Sequence, residues 1–238
     1  RITRAHDGGN PDFGSIRPVI SADGRWVAFQ SSATNLVEGD TNGVSDIFLH
    51  DRHTGETLRV SEGTGGVQST AASEFPAISA DGRWVAFHSR ASNLVPGDTN
   101  GRQDVFLYDA ENATLELVSR SASGVLGDGD SHAPSLSQGA SFVVYHSMAT
   151  NLLAGPDTNG RADVIVLNRE TGVVQRASVT SSWAQANGHS VRATVSNDGR
   201  FVAFESHATN LGGVQTNGVS DIFVRDRQEF TTECLTCP

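Results

Sequence analysis

The residues best suited to chemistry stand in one repeated loop. Asp40-Thr-Asn-Gly-Val-Ser-Asp46 sets oxygen-bearing side chains at positions 1, 3 and 7 of a heptapeptide, with Gly43 turning the chain at position 4. Calcium takes about six to eight oxygens from carboxylates, amides and backbone carbonyls. Asp40, Asn42, Asp46 and the carbonyl of Val44 are therefore candidate ligands. The pattern recurs as Asp98, Asn100, Arg102 and Asp104, and again as Asp157, Asn159, Arg161 and Asp163, with the arginines offering only their carbonyls. A fourth copy has Gln215 in place of the first Asp and keeps Asn217 and Asp221, so one negative charge is lost and a weaker site is expected. An EF-hand loop needs more acids and a glutamate at its twelfth position, which these copies lack. A second reading stays open. Asp-x-Asn-Gly is also a good turn, in which the Asp accepts backbone N–H groups and Asn-Gly takes positive φ.

These loops need elements to hold them, and the sequence repeats those as well. The asparagines of Thr-Asn-Gly are Asn42, Asn100, Asn159 and Asn217, an almost even spacing. Self-similarity at such a period marks a repeat architecture. Each unit carries four strand candidates bounded by turn residues, as in Pro18–Ser21, Trp26–Phe29, Ile47–His50 and Thr57–Val60. Asp23-Gly24 links the first pair and Thr54-Gly55 the last, both hairpin signals. No apolar 3.6-residue period runs long enough for a helix. A four-stranded antiparallel sheet repeated in this way is a β-propeller blade. The reading is all-β, with four visible blades of about 58 residues at 16–73, 74–131, 132–190 and 191–238. The alternative is part of a larger ring. Residues 1–15 form an outer strand and connection that closes the last blade or pairs with another subunit, because unpaired strand edges recruit partners. Phe230–Leu235 competes for the same closing place. Trp26, Trp84, Phe142 and Phe201 recur at one position and are expected between stacked sheets.

The string Ile20-Ser-Ala-Asp-Gly-Arg-Trp-Val-Ala-Phe29 resembles the repeat of TolB-type propellers, in the family with WD-like repeats. The longer unit, with Gly39-Asp-Thr-Asn-Gly-x-x-Asp46, resembles a subgroup common in secreted bacterial proteins. That resemblance implies a secreted location, extracellular or periplasmic. It also admits a hydrolase or lyase role, since some such propellers accompany or form enzymes.

Composition narrows the function. All 17 basic residues are Arg, against 27 acids, for a net charge of −10. Such a surface repels phosphate backbones, so no nucleic-acid partner is expected. Apolar runs of four to six residues are too short to insert in a bilayer. Cys234 and Cys237 are the two cysteines; a local disulfide or a link to another chain is expected ahead of zinc, which wants four ligands. The chain starts at Arg1 rather than Met, as expected of a processed or partial chain.

The loop between second and third strands (the long loop) and the connector between units leave each sheet at one end. Any site is expected there, among acids such as Asp7, Asp12, Glu38, Asp98, Asp128 and Asp130. Gln30, His88, His146 and Glu205 share one repeat position, with hydrogen bonding between blades expected of them. The recurring Asn35, Asn93, Asn151 and Asn210 are expected to tie down the long loops. No nucleophile elbow, zinc-binding helix or phosphate loop occurs, so no catalytic residue is named. The reading is a non-enzymatic scaffold with calcium in its long loops and a protein partner on that face. A lectin-like module using Trp183, Asn187 and His189, or a subunit of a surface filament, are the alternatives.

Overall fold

The computed structural model describes residues 2–212 and 218–237, and every described element is a strand. Gln215 and Asn217 of the fourth loop lie outside the described residues. The chain divides into two compact units, residues 1–118 and 119–238.

The first unit holds two four-stranded antiparallel sheets. One runs β1 (Ser15–Ile20), β2 (Trp26–Ser31), β3 (Asp46–Asp51), β4 (Thr57–Arg59). A two-residue hairpin, β5 (Glu62–Gly63) and β6 (Val67–Gln68), lies in the connector. The other sheet runs β7 (Ser73–Ile78), β8 (Trp84–Ser89), β9 (Asp104–Asp109), β10 (Thr114–Leu117). The second unit repeats this with β11 (Ser131–Leu136), β12 (Phe142–Ser147), β13 (Asp163–Asn168), β14 (Val174–Arg176) and then β15 (Ser190–Val195), β16 (Phe201–Ser206), β17 (Asp221–Asp226), β18 (Thr231–Cys234). Each sheet is a meander in sequence order, the build of a propeller blade.

The two middle strands are the apolar ones. In β2 and β3 nearly every side chain is buried on both faces, which explains runs such as Ile47-Phe-Leu rather than strict alternation. Phe29 stacks on Phe48, Phe87 on Phe106 and Phe204 on Phe223, at centroid distances of 5.7, 5.7 and 5.8 Å. These cross-strand pairs form the core. The recurring Trp/Phe position lies further out. Trp26 and Phe142 are half-buried and Phe201 is exposed, each with a guanidinium over its ring. Trp26 nevertheless covers the turn of the next sheet. A Cβ built on Gly82 would lie 2.1 Å from Trp26 Cδ1, and one on Gly199 2.0 Å from Phe142 Cδ2. Both glycines also have positive φ, so no other residue fits there.

The first strands begin at Ser15, Ser73, Ser131 and Ser190, upstream of the Pro18, Pro76, Pro134 and Ala193 that marked them in the sequence. Each carries a bulge with one left-handed residue: Arg17, Phe75, Ala133 and Arg192. Pro18, Pro76 and Pro134 follow directly, at the one place where the ladder does not need an N–H.

The N-terminal segment corrects an expectation. Residues 2–5 form no strand. Their backbone turns back on itself, with Ala5 N–H on the Gly9 carbonyl and His6 N–H on the Asn35 carbonyl. The fourth strand of the last sheet is instead β18, at the C-terminal end.

Candidate cation-binding loops

Register delivers the loop acids. Asp46, Asp104, Asp163 and Asp221 each open a third strand, opposite Ser31, Ser89, Ser147 and Ser206. All four are buried. In the first loop Asp46 Oδ1 accepts from Ser61 Oγ at 2.6 Å, while the same Ser61 oxygen accepts the Ile47 N–H at 3.0 Å. Ser178 repeats both bonds with Asp163 and Val164. Thr236 takes the place of that serine at Asp221, at 2.8 Å.

The asparagine at position 3 is a brace. Asn42 donates its amide to Asp46 Oδ2 at 2.8 Å, and its oxygen accepts the Val44 N–H at 3.2 Å. Asn100 makes the same two bonds with Asp104 and the Arg102 N–H, at 2.8 and 2.9 Å. Asn159 does so with Asp163 and Arg161, and also donates to the Ala186 carbonyl. The side chains of positions 3 and 7 thus meet, but each amide presents its nitrogen to the carboxylate and turns its oxygen to the backbone of its own turn.

The first acid of each loop is where the copies part. Asp40 pairs with Arg59 Nη1 at 3.0 Å, both side chains being almost wholly buried. In the third loop Arg176 reaches Asp163 at 2.9 Å and Asp157 at 3.6 Å. Arg59 and Arg176 occupy equivalent places at the ends of β4 and β14. In the second copy of the repeat that place holds Leu117. The loops are further stitched by Gln68, which accepts from Thr41 N–H and donates to the Gly39 carbonyl, and by Gln185 on Thr158 and Pro156. Leu126 stands at that position in the second copy. So at these two repeat positions the second copy has leucines where the first and third have an arginine and a glutamine. Neither substitution was read from the sequence, since the partners lie well outside the motif along the chain; aligning the copies would have exposed it.

Electrostatics follow. Burial pushes Asp98 up to about 6, with the charge on Asp104 adding to it. Burial also raises Asp40, Asp46 and Asp163, opposed by Arg59 at Asp40, by the Ser61 hydroxyl at Asp46 and by Arg176 at Asp163.

Other sequence candidates have structural partners. Asn35, Asn93, Asn151 and Asn210 each donate to a carbonyl of the preceding connector: Asn10, Gln68, Leu126 and Gln185. Asp12 and Asp128 clamp Thr34 and Thr150. Gln30 bonds Glu74 of the next sheet, His88 lies 3.6 Å from the same Glu74, and Glu205 pairs with Arg192. His146 stacks on His132, and its burial pushes the imidazole down to about 4. Asn187 bonds Thr209 and His189 accepts the Ala162 N–H, whereas Trp183 packs on Arg225 and Phe230, so the three do not share a contact. Cys234 and Cys237 form a disulfide. Their sulfurs lie within 4.8 Å of an Asp221 oxygen, the one metal-like trio among the described residues.

At the far end of the sheets a second ion pair recurs. Arg25, Arg83 and Arg200 each grip the last acid of the third strand with two nitrogens: Asp51, Asp109 and Asp226. The third copy replaces this pair with Ser141 and Asn168.

The fold is that of TolB-like β-propellers. The chain is similar to TolB from Acinetobacter baumannii (TM-score 0.57, 16% identity, covering 94% of this chain and 44% of that one). It is similar to a TolB from Agrobacterium tumefaciens described as putative (TM-score 0.57, 15% identity, 91% and 62%). A third match is the β-propeller domain of the Trilobed protease from Pyrococcus furiosus (TM-score 0.50, 13% identity, 92% and 56%). The chain thus spans less than two thirds of each of these proteins. No protein-family model matches the sequence, and no curated protein does.

Proposed function

We propose that the chain is a non-catalytic propeller scaffold that presents its long loops to a protein partner, with calcium bound at the second loop. The observation that carries this reading is the exchange at one repeat position. Arg59 and Arg176 lie within ion-pair distance of the acids of the first and third loops, and Leu117 stands there in the second. Asp98 and Asp104 are both buried in one loop, where the charge on Asp104 opposes ionisation of Asp98, and a cation between two such carboxylates relieves that repulsion. Asp98 and Asp104 would hold the ion, with loop carbonyls and water completing a shell of oxygens. In the first and third loops a guanidinium already offsets one of the two negative charges, which lowers the demand for an ion.

A scaffold role agrees with the fate of the polar loop residues, which brace the loops rather than converge on a reacting centre. The disulfide favours an oxidising compartment, and with it secretion.

Thermal melting tests the reading. Millimolar calcium is expected to raise the Tm of the wild-type chain by several degrees relative to chelator, because a ligand that binds only the folded state stabilises it. Asp98→Asn is expected to abolish the response. Equal melting of the wild-type chain in calcium and chelator removes calcium from the account.

A further inference from the structure

The outer edge of the second unit holds a cationic cavity that no part of the calcium reading uses. It is lined by Arg225, Arg227, Arg176, Gln175, Trp183 and Phe230, among others, and has a volume of about 10 Å³. That is room for a single oxygen-sized atom.

Two of the arginines are only partly satisfied. Arg225 is 1% exposed. Its Nη1 donates to the Thr180 and Phe230 carbonyls and to Thr232 Oγ1, at 3.2, 2.9 and 3.0 Å, while its Nη2 is buried with no hydrogen-bond partner. Arg227 donates from Nη1 to the Gly199 carbonyl and from Nη2 to Gln175 Oε1, while its Nε is buried and unbonded. Neither guanidinium has a carboxylate within ion-pair distance among the described residues. Asp226, between them in sequence, is turned to Arg200 at 2.6 Å. Arg176 faces Asp163 and Asp157. Burial lowers the pKa of both Arg225 and Arg227, with the Asp226 charge opposing it at Arg225.

The rim of the cavity is aromatic. Trp183 and Phe230 are 54% and 49% exposed, and their rings lie 5.3 Å apart. Both have left-handed backbones, φ 68° and 59°. The same turn positions are left-handed in the other copies, at Gly66 and Gly124 and at Gly55, Ala113 and Gly172, so what is particular here is that both carry aromatic side chains. The Trp183 ring lies over the Arg225 guanidinium at 4.6 Å. Trp183 thus covers the Arg225 guanidinium, while that of Arg227 lies over the Phe142 ring at 4.5 Å, on a protein of net charge −10.

We propose that this cavity is a carboxylate-binding site. One carboxylate oxygen fills the chamber and accepts from Arg225 Nη2 and Arg227 Nε; the body of the ligand rests on Trp183 and Phe230. A water would satisfy the donors but bring no negative charge. A carboxylate does both, through charge-assisted bonds. The proposal stands apart from the calcium reading and shares no residue with the second loop.

The test is a titration of the wild-type chain at constant ionic strength with acetate, glucuronate and chloride, read by the Trp183 indole N–H in nitrogen-edited spectra and by calorimetry. Trp183→Phe identifies the signal. Both carboxylates are expected to shift it saturably, and glucuronate, which reaches the aromatic rim, to bind at least tenfold more tightly than acetate. Equal affinity for acetate and glucuronate takes the rim out of the site and overturns the proposal as stated. Arg227→Gln is expected to weaken binding at least tenfold; an unchanged affinity overturns the site. Chloride binding as well as the carboxylates do would make it a general anion site and overturn the assignment. The absence of any saturable shift leaves an ordered water there and overturns it outright.

Discussion

Arg59 Nη1 lies 3.0 Å from Asp40 Oδ1, with both side chains nearly sealed from solvent. The last strand of one sheet thus supplies the charge that the long loop of the same sheet lacks. Arg176 does the same for the third loop, and Leu117 ends the arrangement in the second.

Removing such a cation leaves a buried carboxylate without compensation, which costs about 3–5 kcal/mol. Arg59→Leu is therefore expected to lower stability strongly in chelator. It also gives the first loop the second copy's leucine at that position, so calcium is expected to restore part of the loss. Urea unfolding in chelator and in calcium measures both effects; a variant as stable as wild type in chelator contradicts the pairing.

The converse is Leu117→Arg. A guanidinium introduced beside Asp98 and Asp104 is expected to stabilise the calcium-free chain and to erase its calcium response. Calorimetric titration with calcium reads this directly. A retained response places the ion elsewhere.

The turn glycines separate two costs. Gly101 has φ +64° and open space around an added Cβ, so Gly101→Ala is expected to cost about 1 kcal/mol, the low end for local backbone strain. Gly82 has φ +76° and the Trp26 ring in the way. Gly82→Ala is expected to cost clearly more, with overpacking adding about 1–3 kcal/mol. Chemical denaturation of the two variants compares them, and Trp26→Ala in the Gly82→Ala background should recover part of the difference.

The Arg83–Asp109 grip predicts an acid limb. Two nitrogens of Arg83 hold the Asp109 carboxyl down to about 2, below its ordinary value of 3.8. A depressed acid contributes stability that is complete above the unfolded pKa and is lost as pH falls through the folded one. Stability from this pair is expected to fade between about pH 4 and 2. Because Arg83 is 37% exposed, solvent screening keeps the contribution small. Asp109→Asn should flatten that part of the stability–pH curve. An unchanged acid limb would set the pair aside.

Asn93 ties its long loop to the connector before it, donating to the Gln68 carbonyl at 2.8 Å and accepting from Thr70 N–H at 3.1 Å. Asn93→Ala leaves both groups unpaired and is expected to cost about 1–3 kcal/mol. Limited proteolysis should then cut first near residues 64–70.

Local chemistry alone determined the repeat, the four strands per unit and the end of the sheet from which the long loops leave. Asp-Gly turns, β-branched runs and an even spacing of like motifs act within short stretches of chain, so they are legible in one dimension. The oxygen-rich loops were legible for the same reason. Their electrostatic state was not. Whether a loop's acids meet an arginine or a leucine depends on β4, β10 and β14, which sheet pairing folds back onto the third strands from further along the chain. The bulged first strands, the half-exposed Trp26 and the cavity under Trp183 are likewise products of packing. Side chains distant in sequence compete there for the same buried space, and only the tertiary structure decides which of them hold it.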